Sequence, residues 1–215
     1  LAGGQSLTAA MKLRLSAPEL LVDLAGIDGL AGIRCAAASV TVGAMTRHAD
    51  VAASPELAAQ LPALAELAGG IADRMVRNMG TLGGSLANND PSADYPAAVL
   101  GLRGSVITDR REIAGDEFFL GLFQTALQDD ELITAVRFAR PRRAAYAKFR
   151  HPASRYAVVG GMVAQFDTEV RVAVTGAGPC VFRVPAMEQA LQRDFSVQAI
   201  EGIAVSEEGL NVDIH

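Results

Sequence analysis

Residues 77–96 read RNMGTLGGSLANNDPSADYP. Gly80, Gly83 and Gly84 fall within five residues, and two asparagines and two acids around a proline follow. Such a stretch has little to bury. Bare backbone lets successive N–H groups approach a ligand closely and form a small anion-binding nest. A second stretch of this kind opens the chain, Ala2-Gly3-Gly4-Gln5-Ser6. Two nests would suit the two phosphates of a dinucleotide, with Asn88, Asn89, Asp90 and Asp94 available to ribityl or ribose hydroxyls. Neither stretch is GxGxxG or GxxxxGK[ST], so a Rossmann fingerprint or a P-loop is not supported. The residues alone leave a plainer reading open, a tight Gly-Gly turn where a helix and a strand pack closely.

Working outward, 215 residues at 50% hydrophobic and 20% charged suffice for a buried core, in one large domain or two smaller ones. A net charge of −5 and the absence of Trp argue against a nucleic-acid binder. Cys35 and Cys180 are far apart and His48, His151 and His215 are scattered, so the clustered ligands of a zinc or iron–sulfur site are missing from the pattern. A reducing cytoplasm is therefore expected. No secretory signal or membrane-length apolar run is visible. The chain opens on Leu1 and stops at NVDIH, which reads as a piece of a longer protein.

PELLVDL (18–24) reads as a buried strand, and IRCAAASVTVGA (33–44) as one or two more. Thr46 is expected to cap a short helix over RHADVAAS. Ser54 is expected to cap one helix over PELAAQLPALAELAG, with Pro55 first and Gly69-Gly70 as its stop. DYPAAVLGL reads as a helix, SVITD as a strand, EFFLGLFQTAL as a helix capped by Asp116, and ELITAVRFA as a strand. The basic run ARPRRAAYAKFR marks a boundary near residue 140. Beyond it, AAYAKFR, AVVGGMVAQF and VRVAVTGAG alternate as three antiparallel strands, and PAMEQALQ and SVQAIEGIAV read as helices. The fold class is α+β: a mixed first domain, 1–140, and a second, 141–215, of about three strands covered by helices.

AGGQSL, MKLRL, VRNMGTLGGSLANNDPSADYPAA, AYAKFRHPASRYAVVGG and VAVTGAG, in this order, resemble the FAD-binding medium subunit of molybdenum hydroxylases, the aerobic carbon monoxide dehydrogenase type above all. The resemblance implies a two-part FAD-binding domain of the vanillyl-alcohol-oxidase/PCMH type whose start precedes Leu1, then a small C-terminal domain. It implies that Ala2, Gly3, Gly4, Gln5, Ser6 and Leu7 wrap the FAD pyrophosphate through backbone N–H groups. Thr81, Gly83, Gly84 and Ser85 would lie by the pyrophosphate, ribityl chain and ring, and Asn88 and Asp94 would bond the ribityl and phosphate region. Ile133 would hold the adenine or ring edge. Lys148 would stand near the pyrimidine edge of the flavin, where a cation favours its anionic reduced form. Tyr146 is a weaker candidate for covering the flavin face. Arg74-Met75 and Met79 depart from the family pattern.

The resemblance also implies partners: an iron–sulfur small subunit and a molybdopterin-containing large subunit, as a pair of heterotrimers, with quinone, NAD or oxygen as the external acceptor. Electrons would pass from the clusters to FAD in this chain, with substrate oxidation elsewhere. The expected location is cytoplasmic, with association at the inner membrane face left open. Two other functions stand beside this one: a stand-alone flavin reductase or oxidase of the same fold, and an FAD-free assembly subunit. Among single residues, Asp90 reads as a turn residue, His48 as satisfying a helix or turn, and Cys35 as a buried strand residue. The set Arg137, Arg140, Arg142, Arg143, Lys148, Arg150 and Arg155 reads either as a solvated linker or as a docking surface for an acidic partner or for phosphate.

Overall fold

A computed structural model describes residues 1–211. His215 and the end of the GLNVDIH motif lie outside the described residues. The chain begins with α1 (Leu7–Lys12), then β1 (Ile33–Cys35) and β2 (Ser39–Gly43), which pair antiparallel as a hairpin. The alternation in SVTV puts Val40 and Val42 inside. The helices α2 (His48–Ala53), α3 (Pro55–Gln60), α4 (Pro62–Gly69), α5 (Arg74–Met79), α6 (Leu82–Asn88) and α7 (Tyr95–Gly101) follow. Next come β3 (Ser105–Thr108), β4 (Glu112–Ala114), α8 (Gly115–Phe118), β5 (Phe119–Gly121), β6 (Gln124–Thr125) and β7 (Ile133–Ala139). The first sheet has the order β1-β2-β7-β3-β4, with β7 central and antiparallel to both neighbours.

After residue 142 the chain builds a second antiparallel sheet, β11-β10-β9-β8, from β8 (Arg143–Arg150), β9 (Ala157–Gln165), β10 (Val170–Thr175) and β11 (Phe182–Arg183). The helix α9 (Pro185–Arg193) packs against β10. Helix α7 carries the join. All seven of its residues are buried, as expected of a helix with apolar neighbours on every side. It approaches the second sheet so closely that a Cβ on Gly101 would stand 2.5 Å from Met162 Cγ. The turn before α7 is also fixed to this sheet: the Thr175 hydroxyl donates to the carbonyls of Pro91 and Ala93 at 3.0 and 2.7 Å.

Several expectations need correction. PELLVDL is not a strand. Leu20 and Val22 are exposed, and the segment is joined by bonds exchanged with Leu1 and by local turn bonds from Ala25 and Ile27, so it has neither a buried face nor a ladder. Thr46 caps nothing, because its hydroxyl is exchanged with the N–H and carbonyl of Gly32. Ser54 does cap, accepting from Leu57 N–H, but Pro62 lacks an N–H and splits the expected single helix into α3 and α4. The helix expected at EFFLGLFQTAL ends at Phe118. Asp116 lies inside its first turn and is not its cap, and the chain then folds into the β5–β6 hairpin. The Asn89 amide holds that hairpin by donating to the carbonyls of Gly121 and Gln124, both at 2.8 Å. SVQAIEGIAV forms only a short 3₁₀ turn (Gln198–Ile200), with Gly202 beyond it in the left-handed region. The second sheet has a short fourth strand that the sequence did not reveal.

Candidate functional site

The glycine-rich stretch is mostly helix. Gly80 ends α5, and Gly83 and Gly84 occupy the first turn of α6. Thr81 caps that helix, its hydroxyl accepting from Gly84 N–H at 3.2 Å. Gly83 donates to the Ala44 carbonyl at 2.8 Å, and a Cβ on it would lie 2.5 Å from Ala44 Cβ. The glycine there lets α6 lie flat on the end of β2. The close-packing reading therefore applies to Gly83, which does not face open space.

The first loop meets the second directly. A Cβ on Gly3 would lie 2.0 Å from the Met79 carbonyl oxygen and 2.8 Å from Gly80 Cα. Gly4 has φ +73, open to a residue without a Cβ. One on Gly84 would reach Ala2 Cβ at 3.3 Å. Glycine is thus required where the two backbones touch.

Around this seam lies a cleft of about 700 Å³. It brings together most of the residues singled out from sequence: Ala2, Gly3, Gly4, Gln5, Ser6, Leu7, Thr81, Gly84, Ser85, Asn88 and Asp94 all line it. Among the described residues, the N–H groups from Ala2 to Leu7 donate to no protein acceptor, and neither does that of Thr81. The side chains of Ser85 and Asn88 are likewise unpartnered. The second loop offers fewer donors than a symmetrical pair of nests would, because Gly83 and Gly84 spend theirs on Ala44 and Thr81.

Three expected residues do not line the cleft. Gly83 is buried against Ala44. Ile133 is buried at the start of β7. Lys148 stands behind Asp94, and both are buried. The Tyr146 hydroxyl donates to Asp94 Oδ1 at 2.6 Å, which makes Tyr146 a partner of Asp94 and not a cover over the cleft. Burial raises the pKa of Asp94, with Lys148 and Tyr146 pulling the other way. Asp90 accepts from Ser92 N–H, the turn role expected of it.

Residues that the sequence did not mark also form the walls: Ile71, Ala72 and Val76 around α5, and Ala153 and Tyr156, which stand with Ser154 and with Arg155 of the basic set in the loop between β8 and β9. Tyr156 is half exposed there. The ASRY part of the resembling motif was the one available signal. His151 Nδ1 accepts from the N–H groups of Ala153 and Ser154, so it braces this loop. The arginine set is largely engaged within the chain. Arg137 pairs with Glu112, Arg140 donates to the carbonyl of Ala37, Arg142 pairs with Asp167, and Arg143 stacks over Phe195. Arg150 and Arg155 are exposed, and Arg155 lines the cleft. Among the described residues, no helix is long and apolar enough to cross a membrane.

Residues 1–141 match the family described as FAD binding domain in molybdopterin dehydrogenase. The chain is 36% identical over 217 residues to the carbon monoxide dehydrogenase medium chain of Hydrogenophaga pseudoflava, covering 95% of this chain and 76% of that one. It is 37% identical to the nicotine 6-hydroxylase medium subunit of Paenarthrobacter nicotinovorans, covering 89% and 71%. Its fold is similar to that of the Hydrogenophaga pseudoflava carbon monoxide dehydrogenase lacking the Mo-pyranopterin moiety, with TM-score 0.86, 37% identity and coverage of 93% and 74%.

Proposed function

This chain belongs to the FAD-binding medium subunits of the molybdopterin dehydrogenases, and we propose that it takes electrons from the iron–sulfur clusters of a partner subunit and delivers them to an external acceptor. It is an oxidoreductase subunit with FAD as its cofactor. The residues present fit that cofactor. Among the described residues, six consecutive N–H groups, Ala2 to Leu7, lack acceptors at the edge of a cleft where Gly3 and Gly80 bring the two backbones into contact, which suits a pyrophosphate. This run of free donors is the observation that carries the assignment.

Ala2 to Leu7 would hold the pyrophosphate by backbone N–H groups, helped by Thr81. Gly84 keeps the floor low, and Ser85 and Asn88 offer side-chain partners to ribityl or ribose hydroxyls. Asp94 would accept from a hydroxyl while Lys148 and Tyr146 fix its orientation. Gly83 and Ile133 support these elements from behind. Lys148 would act on the flavin at one remove, through Asp94. Bound FAD supplies a carrier that exchanges electrons singly with clusters and in pairs with acceptors. We place a division near residue 140, with residues 1–140 holding the cofactor and 141–215 closing over it. The loop 153–156, which lines the cleft from the second sheet, supports this arrangement. The partners would be an iron–sulfur small subunit and a molybdopterin-containing large subunit. A quinone as acceptor would place the complex at the inner face of the membrane.

The test uses the purified complex. Clusters reduced with stoichiometric dithionite are mixed with a soluble quinone or NAD, and their visible absorbance is followed. Fast reoxidation is expected in the native complex, and slow reoxidation in Gly4→Val once its absorbance shows the flavin gone. Equal rates with and without flavin would overturn the proposal.

A further inference from the structure

His48 begins α2, and its ring lines the cleft although only 5% of the residue is exposed. The sequence suggested a histidine satisfying a helix or turn. The structure gives it no such partner. Nδ1 is sealed from solvent without a hydrogen bond, and no described residue bonds Nε2. A buried imidazole with neither nitrogen paired is costly and uncommon, and the cleft that His48 lines is where a partner for it is to be sought.

The ring stands at the seam of the two loops. A Cβ on Gly80 would lie 2.5 Å from His48 Nε2, so the ring edge rests on bare backbone. Gly3 touches the same Gly80 from the other side, and the free Thr81 N–H is the next donor along. Behind His48 lies Tyr95, fully buried, its ring centroid 5.3 Å away at a tilt of 52°. The Tyr95 hydroxyl is also unpartnered.

We propose that His48 is a cofactor-binding residue, presenting Nε2–H to an anionic oxygen of the bound dinucleotide at the loop seam. This rests on the FAD assignment above. Burial, with Arg77 nearby, lowers the imidazole pKa to about 4, so the group binds as a neutral donor.

The experiment is ¹⁵N NMR of histidine-labelled subunit, with His48 assigned from His48→Gln, while FAD is added and flavin fluorescence reports binding. A clear shift of the His48 nitrogens on FAD binding is expected. His48→Phe should weaken FAD binding at least ten-fold. His48→Gln, which keeps a donor, should recover most of it, and that recovery guards against loss of fold in His48→Phe. FAD bound with His48 nitrogens unmoved and binding unchanged in the Phe variant would overturn the inference and leave the FAD assignment intact. No FAD uptake by the full subunit would remove both.

Discussion

Lys148 Nζ stands 3.0 Å from Asp94 Oδ1 and 3.1 Å from Asp94 Oδ2, with side-chain exposures of 4% and 5%. The pair ties the N-terminus of α7 to β8 of the second sheet. Lys148 lies opposite Gly160 in the β8–β9 ladder.

Breaking this pair from either side strands a buried charge. Lys148→Met or Asp94→Asn should each cost about 3–5 kcal/mol in urea unfolding. The double variant should cost clearly less than the sum, because it strands nothing. A loss below about 1 kcal/mol in Lys148→Met would show that water reaches the carboxylate, as it does in exposed pairs.

Gly160 serves the same group. A Cβ there would lie 2.3 Å from the Tyr146 oxygen. Gly160→Ala should push the phenol off Asp94, while Tyr146→Phe removes the bond without crowding. Both should weaken FAD retention, with Gly160→Ala also lowering stability by about 1–3 kcal/mol. If Tyr146→Phe retains FAD as the native chain does, the hydroxyl has no part in orienting Asp94 for the cofactor.

How far the sequence spoke depends on where the deciding contact lies. Strands with internal alternation, such as SVTV, were legible because neighbours two apart share one face. The Ser54 cap was legible for the same local reason. EFFLGLFQTAL was not: its hairpin depends on Asn89, some thirty residues earlier, and only the fold reveals that bond. The cofactor loops were legible as free backbone, yet the division of labour between Gly83 and Gly84 was not. It depends on Ala44 lying against one and Ala2 against the other. Lys148 was legible as a functional cation, but its partner lies at the N-terminus of α7. His48 carried no signal, since nothing in RHADV says that its ring will go unpaired.

Gly83 and Gly84 should therefore separate on substitution. Gly83→Ala drives a methyl into Ala44 and should cost about 1–3 kcal/mol of stability. Gly84→Ala meets Thr81 Oγ1 at 2.9 Å and Ala2 at 3.3 Å, while alanine in a helix gains up to about 1 kcal/mol. Its net effect on stability should be small, yet it raises the cleft floor. Flavin retained after desalting should fall in Gly84→Ala at near-native thermal stability. Equal flavin loss in both, in proportion to unfolding, would mean that neither glycine touches the cofactor.

The neutral state of His48 sets an acid limit that can be separated from the rest of the protein. Its pKa is about 4 in the fold against 6.5 ordinarily, with burial as the main cause and Arg77 as the second. Between these values the unfolded chain binds a proton that the folded chain refuses. The contribution of His48 is thus whole above pH 6.5 and shrinks as the pH falls toward 4, a loss of about 3 kcal/mol. His48→Gln lacks this titration. Urea unfolding at pH 7 and pH 4.5 should show the native chain losing about 2–3 kcal/mol more than His48→Gln over that interval. Parallel losses in the two chains would place the imidazole in contact with water in the folded state, and with it would go the reason for seeking its partner in the cleft.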